Sequence, residues 1–556
     1  MDNLFFARPF RFAMSTCAAA LIFAGPADVA AQWPTQYTDA KQLASGANLR
    51  AADVMALPDG DVIVVNAAIV DNNLETLAAR YTPDGVTKWK GQKIHSSSDL
   101  KTASIKLFPH EDPQIFATFS ILADPVQMDS ATETVASSAS YLSSGFWTSS
   151  NSVSNFNVGK TAVSLKNRQL LRVLHNSTSN TLGIWTHGYG NVRTDIAPGV
   201  LTDFASEVSN DNRAILSYTH SALMKETASR VMYGSISPTG FAAAPEQVAD
   251  QGAESQSASQ VTKYNNNYMI TWLGNLDGKK RLYSKVVNID AQSVQPARLL
   301  LNDVINYRCI PSTLGAPVIA GVTRTVSGLT PSDTLFVGLL DPANANAITL
   351  PLLQGFGYKV KAIRQETNGD FTLVYSALEN NTNLLKVRRI SIATLGTQWE
   401  TVVADLGNAP DGFIEEYPNT WLSPTSDGSL YIATRYDELY SENTKLSLVR
   451  LRSDGWLGGA DDVQKPTDFT AAVSSDGHVQ LTWKDNSPAE TSYLVGRTQT
   501  DFDSIELTGV LPPDSQAFTD TTASPGVTYK YYVSPFIEAT GALALSDERV
   551  VTVPNL

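Results

Sequence analysis

The chain has 556 residues, of which 43% are hydrophobic and 17% charged, and this composition is typical of a folded globular protein. Its 41 Lys and Arg residues against 55 Asp and Glu residues give a formal net charge of −14, which opposes binding to nucleic-acid phosphates. The length exceeds that of one ordinary domain and predicts about two to four domains or a repeated architecture.

Residues 1–31 have the pattern of a secretory signal peptide. Arg8 and Arg11 precede an apolar run of about fourteen residues, and small residues at 29–31 form a cleavage site. The run is too short to span a bilayer comfortably, and no later segment reaches the length that a membrane helix needs. We therefore expect an exported chain that begins near Gln32, is extracellular or periplasmic, and has no membrane span.

Residues 32–458 contain short apolar runs that follow turn-forming residues. The clearest examples are Asp59-Gly60 before 62–65, Asn266-Asn267 before 268–272, Asn368-Gly369 before 371–375 and Asp427-Gly428 before 430–433. Asn-Gly and Asp-Gly favour tight hairpins because these residues tolerate a positive φ angle. Long helical periodicity is nearly absent, so the pattern predicts an all-β fold.

The turns recur at an interval of roughly fifty residues, enough for four short strands, which is the size of one β-propeller blade. Weaker units complete the series at Asp112-Pro113 before 115–119, Asp211-Asn212 before 214–218, and the runs 161–165 and 318–322. The region resembles an eight-bladed β-propeller of unassigned family. Seven blades are the alternative, because Asn180-Thr181 before 182–185 competes for the third position.

Residues 459–465 are a predicted linker, since turn formers accumulate there and the repeat interval stops. Beyond it, Val479 to Trp483 alternates apolar side chains onto one face, and Tyr529, Tyr531 and Val533 do the same on a later strand. Residues 466–556 resemble the fibronectin type III family over their whole length. The resemblance implies a β-sandwich in which Trp483 is a core residue and Tyr529 is the tyrosine-corner residue, bonded to upstream backbone.

The candidate ligand-binding loop is Trp185-Thr186-His187-Gly188-Tyr189-Gly190. Its glycines allow a ligand to approach closely, and Trp185 or Tyr189 could stack on a sugar face beside His187. An aromatic strand end followed by a hairpin is the simpler interpretation of the same residues.

No established catalytic motif is present in the sequence, so catalytic residues are unknown and a non-enzyme is favoured. His110-Glu111-Asp112 is the strongest candidate cluster for metal chemistry, but a solvated turn explains it better, and we predict no metal site or cofactor. The net negative charge of the chain is the one sequence feature that favours Ca²⁺ as a ligand. Cys309 has no neighbouring His and is predicted to be a buried small hydrophobe.

Two functions remain open at this point. The first is a secreted binding or scaffold protein that engages an extracellular glycan, peptide or protein through the propeller surface, with the fibronectin type III domain as a spacer or accessory contact module. The alternative is an extracellular carbohydrate-active hydrolase or lyase with its site in the propeller channel. The sequence does not indicate an oligomeric state.

Overall fold

The protein is all-β, as predicted. The computed structural model describes residues 33, 36–45, 49–70, 73–97, 102–109, 115–122, 132–138, 148–153, 158–166, 170–176, 179–186, 190–221, 229–248, 254–327, 330–340, 348–391, 394, 396–407, 420–437, 444–458, 463–487, 490–499, 506–537 and 542–555. These residues form 41 β-strands and one short 3-10 helix, Tyr37–Asp39, with no α-helix. No helix in this part of the chain is long and apolar enough to cross a membrane.

The chain divides into two compact units, which are described separately. The N-terminal unit comprises residues 33–82 and 87–457, and the C-terminal unit contains residues 458–556.

The described part of the N-terminal unit forms eight antiparallel sheets, numbered here in chain order. Sheet 1 contains β2 (Leu49–Ala56), β3 (Val62–Val70), β4 (Asn73–Tyr81) and β5 (Thr87–Ser97). Sheet 2 contains β6 (Thr102–Pro109), β7 (Ile115–Leu122), β8 (Thr132–Ser138) and β9 (Thr148–Val153). Sheet 3 contains β10 (Val158–Ser164), β11 (Leu170–Asn176), β12 (Thr181–Thr186) and β13 (Gly190–Asp195). Sheet 4 contains β14 (Val200–Val208), β15 (Ala214–Ser221), β16 (Arg230–Ser237), β17 (Gly240–Phe241) and β18 (Glu246–Gln247).

The remaining sheets continue the same order, until the last one takes a strand from the other end of the unit. Sheet 5 contains β19 (Ser255–Tyr264), β20 (Asn267–Leu276), β21 (Lys279–Val287) and β22 (Ser293–Asn302). Sheet 6 contains β23 (Val304–Ile310), β24 (Val318–Ser327), β25 (Thr330–Leu339) and β26 (Ile348–Gly355). Sheet 7 contains β27 (Lys359–Gln365), β28 (Phe371–Glu379), β29 (Thr382–Ile390) and β30 (Thr397–Asp405). Sheet 8 contains β31 (Thr420–Pro424), β32 (Leu430–Asp437), β33 (Thr444–Leu451) and, at its outer edge, β1 (Lys41–Ser45).

Each sheet packs against the next one along the chain, and sheet 8 packs against sheet 1. Apolar clusters fill the spaces between most neighbouring sheets, and the cluster between sheets 8 and 1 contains Val64, Tyr431, Leu448 and Trp33. Because neighbours cover both faces of a sheet, its second strand is buried continuously instead of alternately. Residues 62–67 of β3 and 371–377 of β28 are buried throughout.

The predicted turns at 59–60, 368–369 and 427–428 connect the first and second strands of their sheets. Gly60, Gly369 and Gly428 have φ angles of 85°, 91° and 84°, a region that glycine occupies without steric cost. The two runs that compete for the third repeat, 161–165 and 182–185, both belong to sheet 3, in β10 and β12.

Buried arginines on the third strands anchor two of these turns, at 59–60 and 427–428. Arg80 Nη2 lies 2.6 Å from Asp59 Oδ2, and Arg80 Nε lies 2.5 Å from Asp61 Oδ2. Arg450 Nη2 lies 2.7 Å from Asp427 Oδ2 in the same way. These charge-assisted hydrogen bonds fix the geometry of the turn between the first and second strands of sheets 1 and 8.

The C-terminal unit consists of two antiparallel sheets. One sheet contains β34 (Thr467–Val473), β35 (Val479–Lys484) and β38 (Ala517–Asp520). The other contains β36 (Ser492–Gln499), β37 (Glu506–Leu511), β39 (Thr528–Ile537), β40 (Ala542–Leu543) and β41 (Arg549–Thr552). Burial alternates along β35, so this strand covers the core with one face only.

The two sheets enclose one apolar core, which is the arrangement of a β-sandwich. Trp483 and Tyr529 are both buried in it, and the rings of Trp483 and Tyr493 lie 5.5 Å apart. The backbone N–H of Ser524 donates a hydrogen bond to the Tyr529 hydroxyl at 3.2 Å. The predicted structural roles of Trp483 and Tyr529 are therefore confirmed.

Candidate functional site

The predicted binding loop lies mostly outside the described residues. Trp185 is in β12, opposite Arg172 of β11 and Asn191 of β13, and its side chain is not described. His187 and Tyr189 lie outside the described residues, as does His110-Glu111-Asp112. The proposed roles of Trp185, His187 and Tyr189 in ligand binding stay predictions.

A different polar site is formed by the first strands of sheets 4 to 7. The pairing register of each of these strands with its second strand is interrupted once, at 202–205 in β14, 257–260 in β19, 304–306 in β23 and 360–362 in β27. Such bulges leave one or two residues out of the ladder and redirect their side chains. The four strands thus carry irregular backbone at corresponding positions.

Two of the bulges hold non-glycine residues at positive φ. Asp203 has a φ angle of 51° and Ala258 one of 53°, a conformation that costs alanine about 1 kcal/mol or more. Asp203 Oδ2 accepts hydrogen bonds from the Ala258 N–H and the Thr219 hydroxyl, each at 3.0 Å. The Ser259 hydroxyl donates to the Asp203 carbonyl at 3.0 Å. These bonds hold both strained residues and join β14 to β19.

Further hydrogen bonds join β19 to β23. The Tyr307 hydroxyl donates to the Ala258 carbonyl at 2.7 Å. The side-chain amide of Gln260 donates to the Tyr307 carbonyl at 2.9 Å and accepts from the Cys309 N–H at 2.8 Å. Because these side chains bond to backbone on a neighbouring sheet, they fix the relative positions of the two first strands.

Arg308 extends the site to β27. Its Nε donates to the Lys361 carbonyl at 3.0 Å, and one Nη donates to the Tyr307 carbonyl at 3.0 Å. The side chain is exposed, yet desolvation by the surrounding protein lowers the pKa of Arg308, while the nearby charge of Asp203 acts in the opposite direction.

Polar groups remain available in this site. Asp203 and Arg308 are both exposed, and the second Nη of Arg308 and Oδ1 of Asp203 have no hydrogen-bond partner among the described residues. Arg308 therefore offers donors, and Asp203 offers an acceptor. We call residues Asp203, Ala258, Tyr307, Arg308 and Lys361 the inner-strand site.

A shallow cavity of about 220 Å³ lies at the ends of β19 and β23. Its lining includes Lys263, Tyr264, Pro311 and Ser312. Lys263 in this lining is a further cationic side chain, besides Arg308, on the strands that carry the inner-strand site.

The Cys309 side chain is not part of the inner-strand site. The thiol is buried in the cluster between sheets 5 and 6, and burial raises its pKa to about 12. The prediction of a buried small hydrophobe is confirmed.

Sequence reasoning missed the inner-strand site. Asp203 and Arg308 lie in strands without glycines or motifs, and the bulge that contains Asp203 depends on pairing across strands. The one usable signal was an arginine between two residues of low polarity in a strand, Tyr307-Arg308-Cys309.

No protein-family model matches the chain, and no curated protein matches its sequence. Among solved structures, an Fn3-like protein from Clostridium thermocellum is 28% identical over 17% of this chain and 96% of its own length, with a TM-score of 0.15. A pectate lyase from Erwinia chrysanthemi is 22% identical over 16% of this chain, which spans only 28% of the lyase, with a TM-score of 0.15. A puromycin hydrolase is 12% identical over 82% of this chain and 61% of its own length, with a TM-score of 0.40.

Proposed function

We propose that the N-terminal unit is an eight-bladed β-propeller. The support is the succession of eight sheets, each packed on the next, with β1 from the start of the unit completing sheet 8. Completing the last sheet with the first strand closes the ring and protects edges that would otherwise pair with other chains. In this arrangement the first strand of every sheet lines a central channel.

The C-terminal unit is proposed to be a fibronectin type III domain. Its sheets β34-β35-β38 and β37-β36-β39, and the hydrogen bond to the Tyr529 hydroxyl, support that assignment. The domain would serve as a spacer or accessory contact module. The signal-peptide pattern of residues 1–31 supports export to the periplasm or the extracellular space.

The proposed function is binding of an extracellular ligand at the inner-strand site. The observation that carries it is Arg308, an exposed guanidinium held by two backbone carbonyls on neighbouring first strands while one Nη stays available. A rigidly held cation loses little entropy when it binds a ligand. The strained Ala258, whose carbonyl accepts the hydrogen bond from the Tyr307 hydroxyl, is a second reason, because strained backbone concentrates at functional sites.

The chemistry favours an acidic glycan as the ligand. A guanidinium matches a carboxylate with two parallel hydrogen bonds, and the Asp203 carboxylate can accept a bond from a sugar hydroxyl. Lys263 and Lys361 add positive charge on flanking strands. Uronic-acid polymers combine carboxylates and hydroxyls and are the class we propose.

We expect Arg308→Ala to weaken binding of a uronic-acid oligosaccharide by roughly ten- to hundredfold, since a lost charge-assisted hydrogen bond is worth about 1.5–3 kcal/mol. The measurement is calorimetric titration of the purified protein with oligosaccharides of polygalacturonate, alginate and hyaluronan, with neutral dextran as the reference. The affinity should fall as salt is added, because ions screen the charge attraction.

Arg193→Ala is the matched control, because Arg193 is an exposed arginine on β13, the fourth strand of its sheet. It should leave the affinity unchanged. Equal losses in both variants, or no binding to any of the acidic oligosaccharides, would contradict the proposal. New reducing ends or unsaturated products in the same mixtures would instead support the hydrolase or lyase alternative.

A further inference from the structure

Three carboxylates converge in the C-terminal unit. Asp485 follows β35, Glu490 precedes β36, and Asp514 lies between β37 and β38. One carboxylate oxygen from each residue lies within 4.8 Å of the others, and this is the one group of its kind found among the described residues. The β35–β36 and β37–β38 connections therefore bring three negative charges to one point.

Glu490 is the buried member of this group. Its side chain is 7% exposed, and its Oε1 accepts a hydrogen bond from the Asp514 N–H at 2.9 Å. Its Oε2 is buried and has no hydrogen-bond partner among the described residues, and the Glu490 carboxylate belongs to the group of three. Burial and the charges of Asp485 and Asp514 raise the pKa of Glu490. A buried carboxylate oxygen without a partner is costly unless a proton or a cation balances it.

Asp485 is held in place by hydrogen bonds, and the carboxylates of Asp485 and Asp514 both reach solvent. Asp485 Oδ1 accepts hydrogen bonds from the Ser487 N–H at 2.9 Å and from the Tyr493 hydroxyl. Asp514 is exposed and has a φ angle of 61°, a conformation that aspartate tolerates in turns. The group thus has a rigid inner side and an open outer side through which water can complete a coordination shell.

We propose that Asp485, Glu490 and Asp514 form a Ca²⁺ site. Ca²⁺ takes six to eight oxygen ligands in flexible geometry, so three carboxylates with waters suit it, whereas Zn²⁺ prefers nitrogen and sulfur and Mg²⁺ demands near-ideal octahedral geometry. The ion would balance Oε2 of Glu490. It would also tie the segments that join the two sheets of the sandwich, β35 to β36 and β37 to β38.

Ca²⁺ binding at these three carboxylates does not depend on glycan binding at the inner-strand site. Ca²⁺ sites of extracellular modules commonly have dissociation constants of about 10⁻⁴–10⁻³ M, which suits an exported chain. Binding to the folded unit alone would raise its stability by mass action.

The test is calorimetric titration of the full-length protein with CaCl₂ after removal of metals with a chelator, together with thermal unfolding with and without the ion. We expect one site and a higher unfolding temperature of the C-terminal unit in Ca²⁺. Glu490→Gln should weaken binding at least tenfold and remove the thermal shift. Terbium luminescence gives a second readout, because Tyr493 bonds to Asp485 directly and can transfer excitation to a bound lanthanide.

Asp476→Asn is the matched control, since Asp476 is an exposed aspartate in the turn between β34 and β35 of the same unit. It should bind Ca²⁺ as the unchanged protein does. The proposal is overturned if about 10 mM Ca²⁺, well above the expected dissociation constant, produces neither heat nor a thermal shift. It is also overturned if folded Glu490→Gln protein binds Ca²⁺ with unchanged affinity.

Discussion

Replacing Trp33 by alanine is expected to lower the free energy of unfolding of the N-terminal unit by about 3–5 kcal/mol. The Trp33 side chain is 1% exposed, and its ring lies 5.8 Å from that of Tyr81 on β4 and 5.5 Å from that of Tyr431 on β32. Its Nε1 donates to the Thr82 carbonyl at 3.2 Å. Since Tyr81 belongs to sheet 1 and Tyr431 to sheet 8, the substitution opens a cavity where the first and last sheets meet.

Urea unfolding followed by fluorescence and circular dichroism measures this loss. Trp456→Ala is the matched control in the same unit, because Trp456 is 39% exposed and should cost only about 0.5 kcal/mol. Comparable losses in the two variants would contradict the placement of Trp33 between sheets 8 and 1.

Replacing Asp520 by asparagine is expected to cost the C-terminal unit about 3–5 kcal/mol, because it breaks a buried charge pair and leaves the partner uncompensated. The Asp520 side chain is buried and accepts hydrogen bonds from Arg497 Nη1 at 2.6 Å, the Tyr531 hydroxyl at 2.7 Å and the Thr522 N–H at 2.8 Å. Denaturant unfolding of the C-terminal transition measures the loss.

Glu506→Gln provides the control for Asp520→Asn. Glu506 also pairs with Arg497, at 3.2 Å, but its side chain is 68% exposed, so the loss should stay below about 1 kcal/mol. An Asp520→Asn protein as stable as the Glu506→Gln protein would show that the buried pair contributes little.

The Asp520 contribution should also depend on pH. Burial favours the neutral carboxyl, but hydrogen bonds from Thr522, Tyr531 and Arg497 outweigh it and lower the pKa of Asp520. In the unfolded chain an aspartate takes up its proton near pH 4, so below that pH the unfolded state binds more protons and the stabilisation is progressively lost. The stability difference between the unchanged protein and Asp520→Asn should therefore shrink as the pH falls below about 4.

The strands themselves could largely be predicted from the sequence, because their signals are local. Asp59-Gly60, Asn368-Gly369 and Asp427-Gly428 each precede the second strand of a sheet in the structure. In the C-terminal unit, the alternation of Val479, Leu481 and Trp483 correctly gave the buried face of β35. Turn residues and side-chain alternation are properties of a few neighbouring residues, so they can be recognised from the sequence without knowledge of tertiary contacts.

What the sequence could not reveal depends on contacts between distant segments. The pairing of β1 with β33 joins the two ends of the N-terminal unit, and no local pattern marks Lys41–Ser45 as the outer strand of sheet 8. The bulges around Asp203 and Ala258 likewise arise from mismatched strand pairing and not from turn residues. The same limit hid the convergence of Asp514 with Asp485 and Glu490, because Asp514 lies in a different loop of the unit.

The proposed central channel exists only if the eight sheets form a closed ring, and β1 is the strand that closes it. Gln42 on β1 pairs with Ser447 on β33, and directly paired antiparallel residues have Cα separations within the range of a disulfide. The most direct test is therefore to introduce Gln42→Cys and Ser447→Cys together in a chain that begins at Gln32, oxidise it mildly, and map disulfides by mass spectrometry. Cys309 is buried and should remain a thiol.

The closed ring predicts an intramolecular disulfide between positions 42 and 447 in nearly all monomers, together with stabilisation of the N-terminal unit by about 2–4 kcal/mol. Free thiols at both positions, or links formed only between separate chains, would contradict it.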